Sequence, residues 1–207
     1  MKRRFFNAET GIWRVFGWTG DIVVLSLMWT ICSIPLITLG AASTALYDTM
    51  VHNMRRHESG TFSRFFGTFR KELKTACPTT LLWGAVGGIL ICVYRRLVTQ
   101  GGGQTAASVN IGFVILFLML LGVLSWVFPL LSRFTFGFWN LNRTALQLSA
   151  GKVLRTAAMS VLMAGSILLV IFWNYLSILF VPGLAAWLSG CLIEPVFAEY
   201  ENKGDAL

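Results

Sequence analysis

The chain has 207 residues, of which 56% are hydrophobic, and a mean hydropathy of +0.69. That is too apolar for an ordinary soluble domain, so a single membrane domain over residues 1–207 is expected. The net charge of +8 would suit nucleic acid, but the basic residues stand between apolar runs. This placement points to membrane topology rather than a nucleic-acid footprint.

The amino-terminal segment mixes Phe5, Phe6, Trp13, Phe16 and Trp18 with Arg3, Arg4 and Arg14, as in a segment lying at headgroup level. An uncleaved first span is expected from its basic start rather than a cleaved signal peptide, since the apolar run begins only after Glu9 and further spans follow. A first span is expected over 15–39. Asp21 falls near its start, where capping the helix or pairing with a loop arginine is preferred to a proton or substrate role. Pro35, which lacks an amide donor, and Gly40, which tolerates any backbone angle, then predict a turn. Thr38 lies between them, and a second limb over 41–54 completes a hairpin. That limb measures about 21 Å at 1.5 Å per residue, against a hydrocarbon core of about 30 Å. It must therefore lean on its neighbours, and the run Ala41-Ala-Ser-Thr-Ala45 allows another helix close approach. Asp48 lies on this limb.

Residues 55–76 carry Arg55, Arg56, Arg64, Arg70, Lys71 and Lys74, with Phe62, Phe65, Phe66, Phe69 and Leu73 at helical spacing. This reads as a basic amphipathic helix flat on the membrane surface, either an anchor or a docking element for a partner. His52 and His57-Glu58 lack the spacing that sets two zinc ligands one turn apart. Pro78 opens a span over 79–94, in which Gly84 and Gly88 offer a face for helix contact. Residues 101–110 form a polar loop without the Gly-Lys-Ser/Thr ending of a phosphate cradle.

A long uncharged run predicts a span over 109–131. Beyond it come Arg133 and a second amphipathic stretch through Phe138, Leu141, Ala145 and Leu148. Residues 156–193 carry no charge; as one helix they would reach about 57 Å. They divide into spans at 156–173 and 177–196, with Asn174-Tyr175 and Val181-Pro-Gly183 around the turn and Glu194 at the far end. The recurrence of a basic segment before an uncharged span would fit a degenerate repeat, but topology rules alone produce it. Cys32, Cys77, Cys92 and Cys191 are scattered singly and are expected as packed thiols.

The fold class is thus all-α: a polytopic membrane bundle of about six spans with two basic amphipathic cytoplasmic helices. The span count turns on the short limb. If it crosses, one side holds four Lys/Arg in the amino terminus, six in 55–76, four in 133–155 and one in the tail, against Arg95 and Arg96 on the other. Five spans would divide the charges 11 to 6. The positive-inside rule favours 15 to 2, with both termini cytoplasmic.

The run Gly20-Asp21, Leu27-Met-Trp29 and Pro35-Leu-Ile-Thr38-Leu-Gly40-Ala-Ala-Ser-Thr44-Ala-Leu-Tyr47 resembles the signature of the YesL-like family of bacterial membrane proteins, described as domain of unknown function 624. Phe62-Ser-Arg-Phe-Phe66 and Pro129-Leu-Leu-Ser-Arg133-Phe134 are similar to its later landmarks. The resemblance implies a multi-pass protein of the bacterial inner membrane, often encoded beside carbohydrate ABC transporters. It brings no activity, cofactor or catalytic residue. No nucleophile with its base, zinc helix or paired intramembrane carboxylates stand out in the sequence, so no enzyme and no cofactor are expected. Two readings follow: an accessory or regulatory component bound to carbohydrate ABC permease subunits in the bilayer, or a small-solute or ion carrier. The carrier would act as a homo-oligomer, with Asp21, Asp48 and Glu194 as coupling groups.

Overall fold

The computed structural model describes residues 7–56, 60–100, 105–134, 137–172 and 178–202. The surface segment at 5–18 in its side chains, His57-Glu58, the loop at 101–104, the turn at Asn174-Tyr175 and the tail's side chains lie outside them. Among the described residues the chain is helical without strands: α1 Asn7–Cys32, α2 Leu39–Arg56, α3 Thr61–Gln100, α4 Thr105–Arg133, α5 Phe138–Gly151, α6 Val153–Phe172 and α7 Val181–Asn202. The expected all-α architecture is present.

The hairpin forms where proline forces it. Proline disfavours helical geometry in the residue before it, and α1 ends at Cys32, three residues ahead of Pro35. A single 3-10 turn, Leu36–Thr38, makes the corner. The Thr38 hydroxyl is shared between the Cys32 and Pro35 carbonyls, 2.7 Å from each, so it satisfies the last carbonyl of α1 while bonding within the corner. Gly40 has a different role from the one expected. It lies in the first turn of α2, and a Cβ there would meet Thr80 Oγ1 and come within 2.9 Å of Phe128 Cε1. The glycine is needed for close approach of α2 to α3 and α4, and proline and the 3-10 turn reverse the chain without it.

α2 is the axis of the fold. Ala41, Ala42, Thr44, Ala45, Leu46, Tyr47, Met50 and Val51 are all buried. On one side Ala41, Tyr47 and Val51 join Trp126, Val127 and Leu130 of α4, Leu141 and Ala145 of α5, and Ile193 and Phe197 of α7. On another, Ala45, Leu46 and Met50 pack with Leu25 and Met28 of α1, Phe65 of α3 and Ala186 of α7. Protein therefore surrounds the short limb, which explains how so small and polar a helix is stable. Thr44 and Thr49 are fully buried, but each donates its hydroxyl to the carbonyl four residues earlier, so neither carries an unmet hydrogen bond.

α3 departs from expectation. Residues 61–76 are not a separate helix lying on the membrane; they continue into the span, with Pro78 inside a 40-residue helix about 60 Å long. A proline removes one backbone hydrogen bond and presses on the preceding turn, yet here α2 lies antiparallel along the first half of α3 and holds it in line. Gly40 meets Ala76 and Thr80, and eight residues later Asp48 meets Thr68 and Arg64. Gly60, with φ +150°, supplies the backbone angle before α3 that side-chain-bearing residues avoid. The second half of α3 meets α4 through Gly87 against Leu120, while a Cβ at Gly84 or Gly88 would meet nothing within 4 Å.

Asp21 is likewise relocated. α1 begins at Asn7, so the carboxylate sits within the helix and cannot cap it. Cys92 and Cys191 are exposed and not packed. The second amphipathic stretch is present as α5, with Leu141, Ala145 and Leu148 buried as its spacing requires.

Among the described residues three helices, α3, α4 and α6, are long and apolar enough to cross a membrane, and α1 and α7 contain shorter apolar stretches at Thr19–Cys32 and Val181–Phe197. The outer halves of the long helices expose Leu81, Ile89, Ile111, Met119, Val161 and Phe172, as a lipid-facing surface would.

Candidate functional site: an apolar cavity

Asp48, Arg133 and Glu194 are far apart in sequence, and the structure gives each a partner. Arg64 and Thr68, one turn apart on α3, converge on Asp48 of α2: Arg64 Nε donates to Oδ2 at 3.1 Å and the Thr68 hydroxyl to the same oxygen at 2.8 Å. Arg133, at the end of α4, places one guanidinium nitrogen 2.6 Å from both oxygens of Glu194 on α7. Glu194 is the more sheltered partner, with its side chain 14% exposed against 30% for the arginine. Each carboxylate thus ties one helix to another. The sequence marked Arg133 and Glu194 separately; their pairing across 61 positions is a product of the fold.

Between the hairpin and the later helices lies a cavity of about 410 Å³. Trp29 of α1, Leu39, Ser43 and Tyr47 of α2, and Leu124, Ser125 and Phe128 of α4 form its inner wall. Ala185, Ala186 and Ser189 of α7 close one side. α6 supplies the outer wall through Met159, Leu162, Met163, Ser166, Ile167, Val170 and Ile171, a helical stripe on a single face. Four serines line the space and all are engaged. Ser43 accepts from Trp29 Nε1 at 3.1 Å, while Ser125, Ser166 and Ser189 donate to the carbonyls of Gly122, Leu162 and Ala186. Three of the four hydroxyls are thus turned onto the backbone, and most of the remaining wall is hydrocarbon.

The candidate residues therefore divide. Trp29, Ser43 and Tyr47, all within the motif-bearing hairpin, reach the cavity. Thr38 and Pro35 build the corner, Gly40 the crossing, and Asp48, Arg133 and Glu194 the ties. The expected docking surface splits as well. Phe65 is fully buried and stacks on Phe69 with ring centroids 6.3 Å apart. Phe62 and Phe66 remain outward, as do Arg70, Lys71 and Lys74. Among the described residues no three His, Cys, Asp or Glu side chains gather as metal ligands.

Sequence reasoning missed several positions. Asn142 of α5 accepts from Trp83 Nε1 at 2.8 Å, Trp126 Nε1 donates to Thr156 at 2.9 Å, and the amide of Gly183 donates to Ser26 Oγ at 3.0 Å. The cavity had one sequence signal, the periodic stripe on α6, which by itself looks like any span.

Long apolar helices around a buried small-residue helix define an all-helical membrane protein. Residues 22–94 match the profile of a family described as Protein of unknown function, DUF624, which supports that family assignment over the hairpin and most of α3. No curated protein and no solved structure matches the chain.

Proposed function

We propose that this protein is an accessory or regulatory membrane component that works by binding a partner in the bilayer, without catalysis and without passing solute itself. The partner proposed is the permease part of a carbohydrate ABC-type importer, the association that the sequence resemblance implies. The observation that favours this over a carrier is the chemistry of the interior. Three of the cavity's serines donate to the backbone, most of its wall is hydrocarbon, and Asp48, Arg133 and Glu194 are held in ion pairs. A carrier for polar solutes needs uncommitted polar groups or unwound backbone near the bilayer midplane. The outward apolar surfaces of α3 and α4 are available to another helix.

The topology proposed is six crossings of a bacterial inner membrane with both termini cytoplasmic, supported by the 15 to 2 division of Lys and Arg. On a cysteine-free background, an impermeant thiol reagent added to intact cells should label Gln104→Cys and leave Ser63→Cys unlabelled. The reverse pattern would invert the topology. For the function, mild-detergent purification followed by mass spectrometry should recover permease subunits in stable proportion. Solute flux into liposomes containing this protein alone would instead establish the carrier.

A further inference from the structure

We infer that the cavity between the hairpin and α6 holds one acyl chain of a membrane phospholipid, taken up from the bilayer between α6 and its neighbours. The first ground is chemical. Three of the four lining serines turn their hydroxyls onto the backbone and the fourth accepts from Trp29. Most of the remaining wall is hydrocarbon, so an apolar occupant fits it and a strongly polar one would give up hydration for little in return. The second is shape. The α6 wall runs from Met159 to Ile171, about 18 Å at 1.5 Å per residue, and suits an extended chain better than a compact ring. The volume of about 410 Å³ falls in the usual range for small-molecule sites. It is well above the roughly 150 Å³ apolar cavity that holds a benzene molecule.

The third ground is access. Ile167 and Ile171 line the cavity and are also exposed, at 43% and 69%. The wall thus continues into the surface of α6 that carries Val161, Leu168 and Phe172 outward. A chain already lying against that surface can enter without crossing water. Met159 and Ala186, by contrast, line the cavity and are buried, so lipid that stays on the outer surface cannot reach them.

That difference supplies the test. The full chain is reconstituted into vesicles of phosphatidylethanolamine and phosphatidylglycerol containing a small fraction of phosphatidylglycerol with a diazirine midway along one acyl chain. After illumination, adducts are mapped by mass spectrometry. Adducts are expected on Met159 and Ala186 as well as on outward Val161 and Leu168. Ser166→Phe and Ala185→Phe each place a ring in the cavity and should abolish labelling of Met159 and Ala186. Labelling of Val161 and Leu168 should persist, showing that the helix is still seated. Wild-type adducts confined to Val161 and Leu168 would overturn the inference without reference to any variant. Persistence of Met159 labelling in both folded variants would overturn it too. A diazirine fatty acid without headgroup that reaches Met159 when the phospholipid probe does not would replace the bilayer lipid with a free amphiphile.

Discussion

Gly40→Ala should lower the stability of the detergent-solubilised protein by about 1–3 kcal/mol, the usual cost of overpacking a tight core. A methyl group there meets Thr80 Oγ1, comes within 2.9 Å of Phe128 Cε1, and lies 3.4 Å from the Ala76 carbonyl. The threonine cannot simply rotate away, because its hydroxyl donates to that same carbonyl at 2.8 Å. Gly84→Ala is the matched control. Nothing lies within 4 Å of its added methyl, and alanine is the better helix former by up to about 1 kcal/mol. Thermal unfolding of the two variants should therefore shift in opposite directions. Equal shifts would mean that α2 does not approach α3 and α4 as closely as described.

The other large effect falls on Trp126. Its side chain is fully buried on α4, meets Phe197 edge-on with ring centroids 6.4 Å apart, and donates to Thr156. The Thr156 hydroxyl also reaches the Ser149 and Lys152 carbonyls, each at 3.1 Å, so the indole anchors the junction of α5 with α6. Trp126→Ala should cost about 3–5 kcal/mol, as for other large-to-small changes in cores. Trp126→Phe keeps most of the ring and loses one hydrogen bond, worth about 1 kcal/mol. Denaturant unfolding that fails to separate the two would place Trp126 outside the core.

The hairpin was legible because its signals are local. Pro35 disfavours continued helix for reasons inherent in its own ring, and the small residues after Gly40 suit close packing. Pro78 carried the same local signal, and there it misled. A proline in a helix loses a bond and strains one turn, and α2 packed along α3 outweighs that local cost. The site followed the same division. Asp48, Arg133 and Glu194 stood out as charges within apolar sequence, but nothing local identifies Arg64 as the partner of the first or joins the other two across 61 positions. The cavity was least legible of all. It is a property of how α6 stands off from α1 and α2, and the stripe that lines it has the same periodicity a filled interface would show.

The burial of α2 also bears on biogenesis. Its sequence is too small and polar to partition into lipid unaided, and the walls that enclose it are made at different times. α1 precedes it on the ribosome, and α3 and α4 follow soon after, but Leu46 packs in the cluster with Ala186 of α7, and Val51 lies against Gly190 of the same helix. That helix is synthesised only after α3, α4, α5 and α6. Until then the central helix keeps one flank uncovered, so packing around it is completed only when the last helix has been made.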